Sequence, residues 1–211
     1  MKSISMLAQK GGTGKTTLSI HLAVQATLAG LKVLIIDIDP QASVTAWWRR
    51  RNEETPAVIQ SRGDVLAGVL SNAQSHRYDL AVIDTAPHSS EDSKASACLS
   101  DSVYIPTRPS LLDLEAIGAS TSLVSDLGMD ARIVLNCCPP PNRYGEPHIV
   151  SEARQALQVY GIPVAEAAIS QRAAFSHALL DGRAVSEFDP NGKAAAEMTQ
   201  LWQTLSTDLN L

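Results

Sequence analysis

The sequence predicts a single α/β domain, doubly wound, with a mostly parallel sheet flanked by helices, and three observations carry that expectation. Five short apolar runs recur between longer stretches compatible with helices. Two of these runs, VLIID at 33–37 and LAVID at 80–84, are apolar at successive positions, which marks strands buried on both faces and therefore a parallel sheet covered by helices. The chain has 211 residues, 45% hydrophobic and 18% charged, enough to bury one sizeable core without the bias of disordered or coiled-coil chains.

Strand 3–8 alternates apolar residues after a single lysine and runs straight into a glycine-rich loop, so it reads as a first strand and not as a leader peptide. Helix 16–29 starts at the end of that loop and stops at Gly30. Strand 32–37 leads through DIDPQ into helix 42–51, and helix 64–72 precedes strand 79–84. Helix 92–99, strand 102–106, helix 112–127 and strand 131–136 come next, up to CCPPPNRYGEP at 137–147, where three successive prolines and a glycine leave no room for a regular element. Helices 149–160, 171–180 and 193–209 complete the chain. In the last, Leu201, Trp202, Leu205 and Leu209 form an apolar stripe, and no Lys or Arg occurs from 194 to 211, so the stripe reads as a docking face and not as a membrane anchor.

Composition narrows the function. A formal net charge of −5 confines any nucleic-acid contact to a local basic patch. Three cysteines, Cys98, Cys137 and Cys138, make no disulfide framework, and no apolar run is long enough to cross a bilayer, so a cytoplasmic protein is expected. Neither Cys98 in its helix nor Cys137 and Cys138 before the prolines has the placement of an iron–sulfur ligand, and His21 and His177 have no second metal ligand at a useful spacing. In WWRRR, 47–51, one tryptophan is expected in the core with the arginines solvated, against the alternative of a nucleic-acid or partner surface.

The chemistry gathers at 9–17, QKGGTGKTT. A phosphate-binding loop requires Gly, four residues, then Gly-Lys-Ser/Thr; here Gly14-Lys15-Thr16 supplies the second half, Gln9 replaces the first glycine, and Gly11, Gly12 and an additional Lys10 lie between. A strand running into Gly11, Gly12, Thr13 and Gly14 and then into a helix aims backbone N–H groups and a helix N-terminus at one point, which suits phosphate. Lys15 can reach the β- and γ-phosphates, Thr16 can ligate Mg2+, and Thr17 can contact the α-phosphate. Asp37 and Asp39 in IDIDPQ and Asp84 in LAVIDTAP fall where strands end, the edge at which ligands bind in open α/β sheets. Asp84 is the expected carboxylate behind the Mg2+, although either strand end taken alone would also serve as a helix cap.

These stretches, KGGTGKTT at 10–17, DIDPQ at 37–41 and VIDTAP at 82–87, resemble the deviant Walker ATPases of the ParA/MinD group, a subclass of P-loop NTPases, and the small ParF-like partition proteins in particular. PTRPSLLDLEA at 106–116 and AISQRAAFSHALLDG at 168–182 extend the likeness over nearly the whole chain. The resemblance implies that Lys10 crosses a dimer interface to the phosphates held by the other subunit, as an arginine finger does in trans elsewhere. It implies that Asp39 orients the attacking water, with Asp37 near Mg2+, and that Pro109 and Asp113 shape the adenine side and the dimer face. Asn136 becomes a candidate adenine reader, its amide equally suited to closing a strand-end loop. Arg172, Arg183 and Lys193 occupy the region where ParA-like proteins face DNA, with Asp181, Glu187 and Asp189 among them.

The resemblance implies an ATP- and Mg2+-dependent partition or positioning ATPase. Its ATP-sandwich homodimer binds non-specific DNA on the nucleoid, and a ParB-like or other adaptor stimulates hydrolysis to release it. A MinD-like membrane-surface ATPase and a metabolic enzyme on the same scaffold are the alternatives. With the phosphate loop within ten residues of Met1, no helix-turn-helix domain is expected ahead of it.

Overall fold

Alternate residues of each central strand go to opposite faces of one sheet, which is why the apolar runs are continuous. The computed structural model describes residues 1–87 and 90–211. Its six strands are β1 (Lys2–Met6), β2 (Val33–Asp37), β3 (Ala57–Gln60), β4 (Leu80–Asp84), β5 (Ser102–Thr107) and β6 (Ala131–Leu135). They lie in the order β3-β2-β4-β1-β5-β6 with every pairing parallel. Val33 and Ile35 of β2, with Leu80 and Val82 of β4, feed one core, while Leu34, Ile36, Ala81 and Ile83 feed the layer behind them.

The helices are α1 (Lys15–Leu28), α2 (Ser43–Trp48), α3 (Leu66–Ser75), α4 (Ser90–Cys98), α5 (Leu111–Ala116), α6 (Gly118–Asp126), α7 (His148–Leu157), α8 (Ala173–Leu180), α9 (Val185–Phe188) and α10 (Lys193–Leu209). Leu18, Leu22 and Val24 of α1 share a core with Met198, Leu201, Trp202, Leu205 and Leu209 of α10, so the C-terminal stripe docks on the body as expected. On the opposite face Val124 of α6 and Val150, Ala153 and Leu157 of α7 cover Val103, Ile105, Ile133 and Leu135.

Several expectations need correction. The edge strand β3 has no counterpart among the five expected strands: its first two residues are half-buried and the other two exposed, so it lacks the apolar continuity that betrays the others. The expected helix 112–127 is two helices meeting at Ile117. Thr121 Oγ1 turns back to the carbonyls of Ile117 and Gly118, the kind of back-bonding that bends helices. The helix expected from 171 begins at Ala173, because Gln171 N donates to Cys138 O and holds the chain in an extended bridge beside Ser170. The helix expected over 42–51 narrows to α2 as Arg50 and Arg51 close tighter turns on Trp47 and Trp48. The short α9 is an additional element, and single 3-10 turns, Gly63–Val65 and Gln158–Tyr160, replace the ends of two expected helices.

The register brings the acids together. Asp84, the last residue of β4, lies beside Met6 of β1 on one side and beside Asp37 of β2 on the other. The strand that launches the glycine-rich loop and both strand-end acids therefore finish at the same level.

Candidate functional site

The loop between β1 and α1 delivers the helix N-terminus to this edge. Gly14 holds φ +97° and packs so closely on Asn136 that a Cβ would sit 2.0 Å from its Nδ2, so only glycine fits there. Asn136 Nδ2 donates to Thr13 O at 2.7 Å while its own N–H bonds Thr107 O, which ties the loop to the end of β6. No side chain caps the start of α1, leaving its first-turn amides available to a ligand. They open into a cavity of about 430 Å³ walled by the loop glycines, Lys15, Thr16, Thr17 and Asp39.

Asp84 is fully buried and accepts from two hydroxyls of α1, Thr16 Oγ1 at 2.7 Å and Ser19 Oγ at 2.9 Å. Burial pushes its carboxyl up to about 7; the two hydroxyls and Lys15 oppose that shift and the Asp37 carboxylate adds to it. Lys15 is nearly buried, and its Nζ donates to Ala8 O at 3.0 Å. Burial draws its pKa below the usual lysine range against the pull of Asp84 and Asp39. The site thus contains a cation and a carboxylate whose charged forms the protein alone solvates poorly. A metal–polyphosphate ligand, carrying both signs, suits that pair of groups.

Asp37 is committed to the scaffold. Its Oδ2 accepts from Thr45 N at 3.0 Å and Thr45 Oγ1 at 2.9 Å, so it caps α2 from a neighbouring strand, and Oδ1 accepts from Asp39 N at 3.3 Å. Asp39 reaches the cavity wall and closes a turn through Gln41 N, 2.9 Å from Oδ1.

Lys10 and Asp113 meet within the chain. Lys10 Nζ lies 2.8 Å from Asp113 Oδ1, and Ser110 Oγ donates to the other oxygen. Burial raises the Asp113 carboxyl, but the bonds from Lys10 and Ser110 prevail and hold it below the usual range. Pro109 is buried and does not line the cavity; its neighbour Arg108 does, donating from Nη2 to Gly12 O, and its charge opposes the burial that raises the Cys137 thiol.

The three basic residues expected to face DNA have different settings. Arg172 lines the cavity and is tied to Glu197, 2.7 Å from Nη2. Arg183 is exposed but pairs with Asp181 and lies over the Phe188 ring. Lys193 is exposed at the start of α10. Within 47–51, Trp47 is buried as expected, but Arg51 is not solvated: it grips Glu187 with both terminal nitrogens, at 2.8 and 2.6 Å, and of the three arginines only Arg49 and Arg50 are exposed, as is Trp48.

Sequence reasoning missed Ser19, Thr45 and Arg108. Ser19 comes three residues after Thr16, one helical step on the same face, and that spacing was the available signal. A larger cavity of about 770 Å³, between the end of α1, residues 51–55 and residues 181–187, encloses the Arg51–Glu187 pair. No unpartnered buried side-chain atom lines it among the described residues. The smaller cavity is the one with chemistry.

Comparison with known proteins agrees with this fold. Residues 4–185 match the family described as the CobQ/CobB/MinD/ParA nucleotide-binding domain. The chain is 31% identical to maintenance of carboxysome distribution protein A of Gloeobacter kilaueensis, over 98% of this chain and 93% of that one. In fold it is similar to Cyanothece McdA in complex with ATP, with a TM-score of 0.81 at 17% identity, covering 100% of this chain and 97% of that one. It is likewise similar to the septum site-determining protein MinD of Pyrococcus horikoshii in complex with Mg-ADP, with a TM-score of 0.78 at 17% identity over 97% and 95% of the two chains.

Proposed function

The chain belongs to the CobQ/CobB/MinD/ParA nucleotide-binding family, and on that premise we propose that it is a ParA-type positioning ATPase that uses ATP and Mg2+. The observation that carries this reading is the convergence of an uncapped α1 N-terminus, Lys15 and the Thr16–Asp84 bond on one cavity.

In this reading the loop amides and Lys15 bind the polyphosphate, Thr16 offers its hydroxyl to Mg2+, and Asp84 orients that hydroxyl from behind. The bound metal supplies charge neutralisation at the phosphates. Asp39 orients the attacking water, while Asp37 fixes α2 and thereby the backbone on which Asp39 sits. Asn136 braces the loop through Thr13 with its amide nitrogen, which leaves its oxygen as the atom that would accept from the base. Lys10 exchanges Asp113 for phosphates across an ATP-dependent homodimer. Unassisted turnover is slow, on the order of 10⁻⁴ to 10⁻² per second as in switch-type NTPases, and a ParB-like or other adaptor accelerates it.

The dimer binds DNA non-specifically and so rides the nucleoid with a plasmid, a chromosome or a protein assembly as cargo. The test is binding of Asp39→Ala protein to random duplex DNA with ATP and with ADP over a salt series. Binding with ATP alone, weakening steeply with salt, is the expected result. No binding in either state, or equal binding in both, overturns the DNA reading; ATP-dependent capture on anionic vesicles instead would favour a membrane-surface ATPase.

A further inference from the structure

Three cationic side chains besides Lys15 stand at or beside the nucleotide cavity, and their partners separate them. Lys10 is neutralised by Asp113 and Arg172 by Glu197. Arg108 makes no ion pair among the described residues; Asp113, already bonded by Lys10, feels its charge only at longer range. Its guanidinium donates to the carbonyl of Gly12 in the phosphate loop and its charge acts on the neutral thiol of Cys137 after β6, both of them lining the cavity. A guanidinium has five donors in a planar fork suited to phosphate oxygens, and a carbonyl and a thiol are weak rivals for it. Arg108 is also exposed, so it can turn without disturbing the core, while Pro109 beside it is buried and holds the backbone.

We propose that Arg108 is a polyphosphate-binding residue of this site, acting within its own chain: it leaves Gly12 O and Cys137 for the phosphates of the bound nucleotide. This rests on the ATP reading of the cavity. The role is in ground-state binding, so it acts on nucleotide affinity and not on the orientation of water by Asp39.

The test is calorimetric titration of wild type, Arg108→Gln and Arg108→Lys with Mg-ATP and Mg-ADP at several salt concentrations, alongside melting of the nucleotide-free proteins. The glutamine amide can still donate to a carbonyl but carries no charge. If Arg108 serves the phosphates, Arg108→Gln weakens ATP binding about tenfold or more and flattens its salt dependence. Arg108→Lys recovers part of the affinity, and all three proteins melt alike without nucleotide. Glutamine protein that binds ATP within about twofold of wild type overturns the assignment. A loss of affinity accompanied by a lowered melting temperature that lysine does not restore also overturns it, since that is the mark of a loop brace. Wild-type protein that binds no ATP overturns the ATP reading and this one with it.

Discussion

Asp84 and His21 make opposite demands on pH, and removing either exposes the other. Asp84 titrates at about 7 in the fold against 3.8 for a free carboxyl. Its raised pKa gives stability that is complete below about pH 3.8 and is lost as pH rises through about 7, a loss of about 3 kcal/mol between pH 5 and pH 8. His21 is fully buried on α1: its Nδ1 accepts from Val185 N at 3.1 Å, the Phe175 ring meets it edge-on, and burial pushes its pKa down to about 3 from 6.5. A lowered pKa works the other way, full stability above about pH 6.5 and loss as pH falls toward about 3, costing about 2 kcal/mol at pH 5 relative to pH 8. The two nearly cancel in wild type. The perturbations are Asp84→Asn and His21→Asn, the latter keeping an acceptor for the Val185 N–H. The assay is urea unfolding from pH 5 to 8, without nucleotide and with a chelator. Relative to wild type, Asp84→Asn should gain about 3 kcal/mol on going from pH 5 to pH 8, and His21→Asn should lose about 2 kcal/mol over the same interval. Variant profiles that run parallel to wild type would refute the reasoning, because they would mean that neither group changes its proton affinity on folding. A gain for Asp84→Asn at neutral pH would also show that the empty protein disfavours the ionised carboxyl, as expected of a group that serves a bound cation.

Contacts around the phosphate loop lead to three further outcomes. Gly14→Ala should abolish ATP binding and lower the melting temperature, since its Cβ meets Asn136 and its φ disfavours any side chain, while Gly11→Ala, with nothing near its Cβ, should fold normally. Thr16→Ala and Ser19→Ala each remove one donor to Asp84 and should cost about 1–3 kcal/mol. Magnesium titration then separates them: only the Thr16 variant should lose metal-dependent nucleotide binding. Lys10→Ala should leave stability within about 1 kcal/mol, because its ion pair is partly exposed, yet abolish the ATP-dependent increase in sedimentation coefficient. An unchanged sedimentation shift would exclude Lys10 from the dimer contact.

What the sequence reveals here is what is local. The glycine-rich loop, the acids at the ends of β2 and β4 and the apolar stripe of α10 all lie within short windows, and each lands where its pattern puts it. What it hides depends on partners far along the chain. Nothing near Arg172 announces Glu197, and nothing near Asp37 announces that Thr45 will take its carboxylate. Nothing in PTRPS announces that its arginine will lie on Gly12. The edge strand β3 escapes for a related reason: with its residues half-buried or exposed, it needs no continuous apolar run.

The strand order has a consequence for synthesis. β1 and β2 are successive in the chain but are not neighbours; β4 slots between them and pairs with both. During translation the first two strands leave the ribosome with a vacant slot between them, and the carboxylate that Thr16 and Ser19 bond arrives only with β4. Until then the nascent chain has bare strand edges and no completed cation site, which makes it prone to mispairing. Nucleotide can therefore reward folding only after strand insertion, and a chain that stalls before residue 84 should be a client for chaperones and not for ATP.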